Sequence, residues 1–195
     1  MSMIDDIKKL REMTGAGMMK AKGALEESGG DIEKAQEILR VKGLASADKK
    51  SSRVAGAGMI GSYVHGGRIG VLVEVNCETD FVVKTDDFKE LVEELSLHIA
   101  AMSPVYVKRE DVSEEVMTKE TSLFADEVKE SGKAPEHAEK IAAGKLDKWL
   151  SGVCLYEQKY YKDDSMTIED YVKSVIAKLG ENIVVRRFVR LELGQ

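Results

Sequence analysis

Few residues in this chain have both the type and the spacing that covalent or metal chemistry needs. His65, His98 and His137 stand singly, with no H-E-x-x-H pair and no carboxylate at ligand spacing near a second histidine, so no metal site is predicted. Gly56-x-Gly58-x-x-Gly61 has the letters of a dinucleotide fingerprint, but that motif works between a strand and the helix whose N–H groups hold pyrophosphate. A strand follows here instead, and the glycines are expected in a bulged or closely approached strand. Thr14-Gly-Ala-Gly-Met-Met-Lys20 lacks the spacing of a phosphate-wrapping loop, and no G-x-S-x-G elbow occurs. Cys77 and Cys154 form no C-x-x-C pair and read as two reduced thiols. What remains is the chemistry of contact. Asp80-Phe81 sets a carboxylate beside a large ring where the strand pattern of E-V-N-C-E-T-D-F-V-V-K (74–84) runs out, and Met18-Met19 opens a helix with two thioethers close in sequence to Arg11.

Phe81 has two readings. Strict alternation from Val73, Val75 and Cys77 places Thr79 and Phe81 on the core side. Glu78, Thr79 and Asp80 are poor strand formers, however, so a strand ending near Cys77 loses its parity and can leave Phe81 exposed. Only the exposed reading makes the ring an anchor for a partner's pocket, a role that can contribute about 2 kcal/mol or more. The methionines divide similarly. Neighbours on a helix lie ~100° apart, so both can point inward only at the edge of an apolar stripe, and one is free to face a partner.

The elements that must position these residues follow from periodicity. Ile4, Ile7 and Leu10 give a short helix ended by Thr14–Gly17; Ala21, Ala24 and Leu25 give a second, ended by Gly29-Gly30. Asp31 caps a third with Ile32, Ala35, Ile38 and Leu39, closed by Gly43. Gly23, inside the second helix, lowers its stability by ~1 kcal/mol. Ile60, Ser62 and Val64 then alternate toward His65-Gly66-Gly67-Arg68, a two-residue hairpin turn, and Ile69, Val71, Val73 and Val75 return, pairing Val64 with Ile69, Ser62 with Val71 and Ile60 with Val73. A helix starts at Thr85, Asp86 or Asp87, carries Phe88, Leu91, Val92, Leu95 and Ile99 inward, and stops at Ser103-Pro104, before a short extended piece to Val107. Asp111-x-x-Glu114 resembles a capping box opening a helix that Gly132 ends, and Pro135 opens another reaching Trp149. Residues 153–166 read as irregular; a helix from Thr167 to Gly180 and a strand over Ile183–Leu193 complete the chain. The predicted fold class is α+β: an N-terminal three-helix UBA-like bundle (1–45), a linker (46–55), and a core (56–195) in which a three-stranded antiparallel sheet packs with helices and a helical hairpin (111–150) protrudes.

Composition agrees with a globular protein: 195 residues, 43% hydrophobic and 33% charged, with no apolar run of membrane-spanning length. The amino terminus has acids where a secretory signal needs a basic patch, which predicts a cytoplasmic protein. The net charge of −6 argues against general nucleic-acid binding, and it belongs to the larger part, because residues 1–50 carry 10 basic against 9 acidic side chains. Tyr156, Tyr160 and Tyr161 with Lys159 and Lys162 could stack bases, but such a set more often packs a loop on its sheet.

Leu10-R-E-M-T-G-A-G-M-M-K-A-K-G-A-Leu25 and Glu74-V-N-C-E-T-D-F-V-V-Lys84 together resemble the two signature stretches of the bacterial elongation factor Ts family. The likeness continues through G-S-Y-V-H-G-G-R-I-G-V-L (61–72), E-D-V-S-E-E-V (110–116) and G-E-N-I-V-V-R-R (180–187), nearly the whole chain. The resemblance implies a guanine-nucleotide exchange factor for elongation factor Tu, working without covalent chemistry and without a cofactor of its own. The family's amino-terminal module docks on the GTPase, and Arg11, Met18 and Met19 match its contact positions. Asp80 and Phe81 match the pair that enters between helices of the GTPase and disturbs its magnesium and phosphate site. His65 and Gly180 match further positions near that contact.

Many members of the family carry a duplicated core, whereas here the G-S-Y-V-H-G-G-R hairpin runs straight into the T-D-F element, leaving one sheet module. The chain resembles the short form, which implies a homodimer, and the family's carboxy-terminal helical appendage has no counterpart after Leu193. The rival functions are an adaptor whose three-helix module binds a ubiquitin-like protein, a nucleic-acid binder using Lys49, Lys50 and Arg53 with the tyrosines, and an enzyme with a noncontiguous site.

Overall fold

The computed structural model describes residues 3–130 and 135–194. Along the chain run helices α1 (Met3–Thr14), α2 (Met18–Glu27) and α3 (Ile32–Asp48), strands β1 (Ala57–His65) and β2 (Ile69–Cys77), and helices α4 (Asp80–Val83) and α5 (Asp86–Met102). Helices α6 (Glu114–Glu130) and α7 (Pro135–Val153), strands β3 (Lys159–Tyr160) and β4 (Asp163–Thr167), helix α8 (Ile168–Leu179) and strand β5 (Ile183–Glu192) follow. The fold is α+β, with a three-stranded antiparallel sheet in the order β1-β2-β5 and a small two-stranded ladder, β3-β4.

Two compact units divide the chain: residues 1–61, 73–94 and 170–186 in the first, 62–72, 95–169 and 187–195 in the second. In the first, α1–α3 close on Ile7, Leu10, Ala21, Ala24, Leu25 and Ala35, with Ile32, Ile38 and Leu39 packed against them. Alanines at three of these positions let the helices approach closely. Asp31 caps α3 as expected, its carboxylate accepting the Lys34 N–H at 3.1 Å.

The third helix does not stop at Gly43. It runs on to Asp48, so residues 46–48 of the expected linker are helical. Gly43 serves proximity instead of termination, since a Cβ there would lie 3.2 Å from the Ala177 Cβ on α8. Lys173 on α8 pairs with Asp48 at 2.8 Å, and Asn182 donates to the carbonyls of Ser51 (3.3 Å) and Arg53 (2.8 Å). The residues after α3 are thereby fastened.

The β1–β2 hairpin departs from its predicted register. Gly66 and Gly67 both take positive φ, 54° and 69°, and Arg68 N–H closes the turn on the His65 carbonyl at 2.9 Å. Three residues, however, separate the strands, and one extra residue reverses every side chain of β1 relative to β2. Ile60 (65% exposed) and Val64 (67%) therefore face solvent while Val71, Val73 and Val75 are buried. Of the near-fingerprint glycines, Gly58 lies in a closely approached strand, where a Cβ would meet the Val75 carbonyl at 2.3 Å, whereas Gly56 precedes β1 and has open space around it.

In the second unit, α6 and α7 pack around Val112, Leu150 and Cys154 with Tyr106, Val116, Leu146 and Trp149. The capping box expected at Asp111 is displaced. Asp111 ends a one-turn 3-10 helix and accepts the Lys108 N–H, while the Ser113 hydroxyl accepts the Val116 N–H and α6 begins at Glu114. The end expected at Gly132 lies outside the described residues. Residues 153–166, read as irregular, contain a 3-10 turn (Leu155–Glu157) and most of the β3-β4 ladder. Strands this short carry too little alternation to be seen in a sequence. Tyr160 is buried and stacks edge-on against Tyr161, the packing role anticipated for this aromatic set. Along β5 the buried alternation of Ile183 and Val185 changes phase at Arg186-Arg187, after which Val189, Leu191 and Leu193 are exposed.

Candidate functional site: an anchored aromatic tip

Strand β2 ends at Cys77, where strand propensity fails, and the chain turns through Glu78 and Thr79 into the single-turn helix α4. Asp80 and Phe81 are its first two residues. Phe81 is 77% exposed, so loss of strand parity prevails over strict alternation, while Val82 is buried beneath it. Lys84 reaches back to both residues: its ammonium lies 2.8 Å from the Asp80 carboxylate and 5.6 Å from the centre of the Phe81 ring. The bond from Lys84 holds the Asp80 carboxyl below its ordinary pKa. Thr85 accepts the Phe88 N–H at 3.3 Å and so starts α5, burying Phe88 completely.

The base of this tip is tied to the segment after α8. The Glu181 carboxylate accepts the Thr79 backbone N–H at 2.9 Å and the Thr79 hydroxyl at 2.6 Å. In return the Glu78 carboxylate accepts the Asn182 N–H at 2.7 Å. Each segment thus lends a glutamate to the other's backbone. Gly180, one of the sequence candidates, ends α8 with φ +83°, the left-handed turn that directs Glu181 onto Thr79. The buried Cys77 thiol donates to the Thr79 carbonyl at 3.2 Å, and burial raises its pKa.

Arg11, Met18 and Met19 lie at the α1–α2 turn. Arg11 Nε donates to the Ala16 carbonyl at 3.3 Å, and Met18 (56% exposed) and Met19 (78%) both face solvent, joined by Met13 (51%). Neither methionine points inward, because Ala21, Ala24 and Leu25 already fill the buried side of α2. Lys178 on α8 connects this turn to the helix behind the tip. Its stem crosses Gly15, where a Cβ would lie 2.7 Å from Lys178 Cε, and its ammonium pairs with Asp87 in the first turn of α5. His65, in the second unit, is exposed at the end of β1, its Nδ1 3.0 Å from the Tyr63 hydroxyl.

Lys84, Lys178 and Glu181 were not singled out from the sequence. Lys84 is legible as an i,i+4 partner of Asp80 once a helix is assumed there; Glu181 is not, because its partner is 102 residues away. Among the described residues no group of three or more His, Cys, Asp or Glu side chains is arranged to hold a metal ion, and no helix is long and apolar enough to cross a membrane.

These features amount to an exposed aromatic residue held on a fixed base, with a cluster of exposed thioethers on α1 and α2. Residues 3–195 match the family model described as Elongation factor TS. The elongation factor Ts of Thermotoga neapolitana is 57% identical over 194 residues, covering 98% of this chain and 97% of the relative. That of Thermosipho melanesiensis is 56% identical over 191 residues, 97% of each chain, and that of Carboxydothermus hydrogenoformans 53% over 190 residues, 97% of this chain and 88% of its own. The chain belongs to the elongation factor Ts family.

Proposed function

We infer that this protein is a guanine-nucleotide exchange factor for elongation factor Tu in cytoplasmic protein synthesis, acting by contact alone. The observation that carries this reading is the exposure of Phe81 beside Asp80 on an anchored one-turn helix. An exposed ring with a fixed base loses little freedom when it enters an apolar gap between helices of a partner, so its burial contributes fully to binding. Asp80, freed from Lys84, would rearrange polar contacts near the partner's Mg²⁺, which then no longer offsets phosphate charge. The thioethers of Met18 and Met19, with Arg11, supply an adaptable second contact on the GTPase. His65 and Gly180 belong to the surroundings of the contact, Gly180 through the turn it makes before Glu181.

Linkage supplies the direction. A protein that binds the nucleotide-free GTPase more tightly than the nucleotide-bound form weakens nucleotide binding by the same factor, and the prevailing nucleotide decides the product. The protein needs no cofactor of its own, and the metal and nucleotide belong to the partner.

The second unit supports a homodimer. Val64, Leu72, Val189, Leu191 and Leu193 are all more than half exposed, on strands β1, β2 and β5 or just past the last. Apolar residues gathered on sheet strands are suited to cover one another in a second copy of the chain.

Release of fluorescent GDP from elongation factor Tu, followed by stopped flow, tests the exchange reading. The protein is expected to accelerate release strongly, and Phe81→Ala to reduce that acceleration by roughly 30-fold, the effect of losing a buried aromatic anchor. An unchanged GDP off-rate in the presence of the protein would remove the reading.

A further inference from the structure

The geometry points to Glu181 as a positioning residue for the Asp80-Phe81 tip, an assignment that rests on the exchange reading above. Helix α4 has a single turn and cannot hold its own orientation, since one hydrogen-bonded turn is an unfavourable nucleus without support. Its capping residue Thr79 gives no side-chain bond to the helix. The Thr79 hydroxyl instead donates to Glu181, and so does the Thr79 N–H, so both donors of the residue immediately before Asp80 end on one carboxylate. A charged acceptor taking two donors fixes direction as well as distance.

The surroundings hold Glu181 in turn. Gly180 sets its backbone by a left-handed φ, and the Asn182 N–H is held by Glu78, the residue before Thr79. Arg53 lies 3.5 Å from Glu78, and Asn182 is fixed by the carbonyls of Ser51 and Arg53. A wedge that enters a partner must transmit force to its own scaffold. Two hydrogen-bonded routes lead from the tip toward β5, one through Thr79 and Glu181 and one through Glu78 and Asn182. Glu181 therefore acts on exchange through the tip and need not touch the partner.

The test uses Glu181→Gln, which keeps the shape and one acceptor oxygen, Glu181→Ala, and Thr79→Ser, which keeps both donors. In the free protein, amide hydrogen exchange is expected to accelerate at residues 79–82 in Glu181→Gln and to stay unchanged across α1–α3. With elongation factor Tu and fluorescent GDP, both Glu181 variants should lower the maximal release rate at saturating factor by about tenfold, as expected for loss of a charge-assisted pair. The factor concentration giving half the effect should shift by less than about threefold, a split that general destabilisation would not produce. Thr79→Ser should retain the wild-type rate. In a Phe81→Ala background, Glu181→Ala should have almost no additional effect. Unchanged amide exchange at 79–82, a maximal rate within about twofold of wild type, or full additivity with Phe81→Ala would each overturn the assignment. Wild-type protein that fails to release GDP would instead remove the exchange reading on which it rests.

Discussion

Phe81 and Phe88 stand seven positions apart and face opposite demands. The first leaves 77% of its surface in water with Lys84 over its ring, whereas the second is fully buried at the start of α5. Phe81→Ala is therefore expected to change the stability of the free protein by less than about 0.5 kcal/mol, and Phe88→Ala to lower it by about 3–5 kcal/mol, both measurable by urea unfolding. A large loss at Phe81 would mean that the ring is structural. His98 makes a different demand. The Gln158 amide donates to the carbonyls of Met102 and Gly152, which turns its oxygen toward His98 Nε2 at 2.9 Å, and the buried Nδ1 has no hydrogen-bond partner among the described residues. Burial pushes the imidazole pKa below its ordinary 6.5 against the weaker opposing effect of Gln158. The unfolded chain then takes up the proton first as pH falls. The stability contributed by neutral His98 is complete above pH 6.5 and declines below it, by up to ~1.4 kcal/mol per pH unit, until the folded value is reached. Imidazole nitrogen shifts should show His98 taking up its proton at a lower pH in the folded protein than in the unfolded chain, and a midpoint at or above 6.5 would contradict this.

At the scale of elements, glycines carried the most ambiguous signal. Gly23 lies inside α2 with open space where a Cβ would stand, so Gly23→Ala is expected to raise stability by about 0.5–1 kcal/mol, read from the denaturation midpoint. Gly43 has the same letter and the opposite logic, because Ala177 lies too close for a stop signal to be its purpose. The sequence alone could not separate these roles, since closeness to α8 is a tertiary fact. Where periodicity was long, as in α5 with its stripe from Phe88 to Ile99, the element was legible nearly to its ends. Where it rested on a turn, it failed by one residue: the hairpin glycines were placed correctly, but a three-residue separation put Ile60 and Val64 on the solvent face. The candidate site divides in the same manner. Asp80, Phe81 and the methionines were visible as residues out of place in their patterns, whereas Glu181 is one acid among many until the fold sets it on Thr79.

For the whole molecule, the apolar side chains left open on β1, β2 and β5 make the number of chains in solution a direct question. A homodimer is expected by sedimentation velocity, and Leu191→Asp, which places a charge among Val64, Leu72, Val189 and Leu193, should shift the protein to monomer. A wild-type monomer at all concentrations would reject the pairing while leaving the exchange reading intact. The glutamates exchanged between Glu78-Thr79 and Glu181-Asn182 join residues 102 and 104 positions apart, and this separation sets an order of events. As the chain leaves the ribosome, the Thr-Asp-Phe sequence emerges long before the residues that fasten it, and closure across so long a loop comes late in folding. A nascent chain that has not yet exposed residue 181 carries the tip unfastened. A rigid tip therefore waits for the segment after α8, and a chain without that segment carries Asp80 and Phe81 on a base with nothing to hold it.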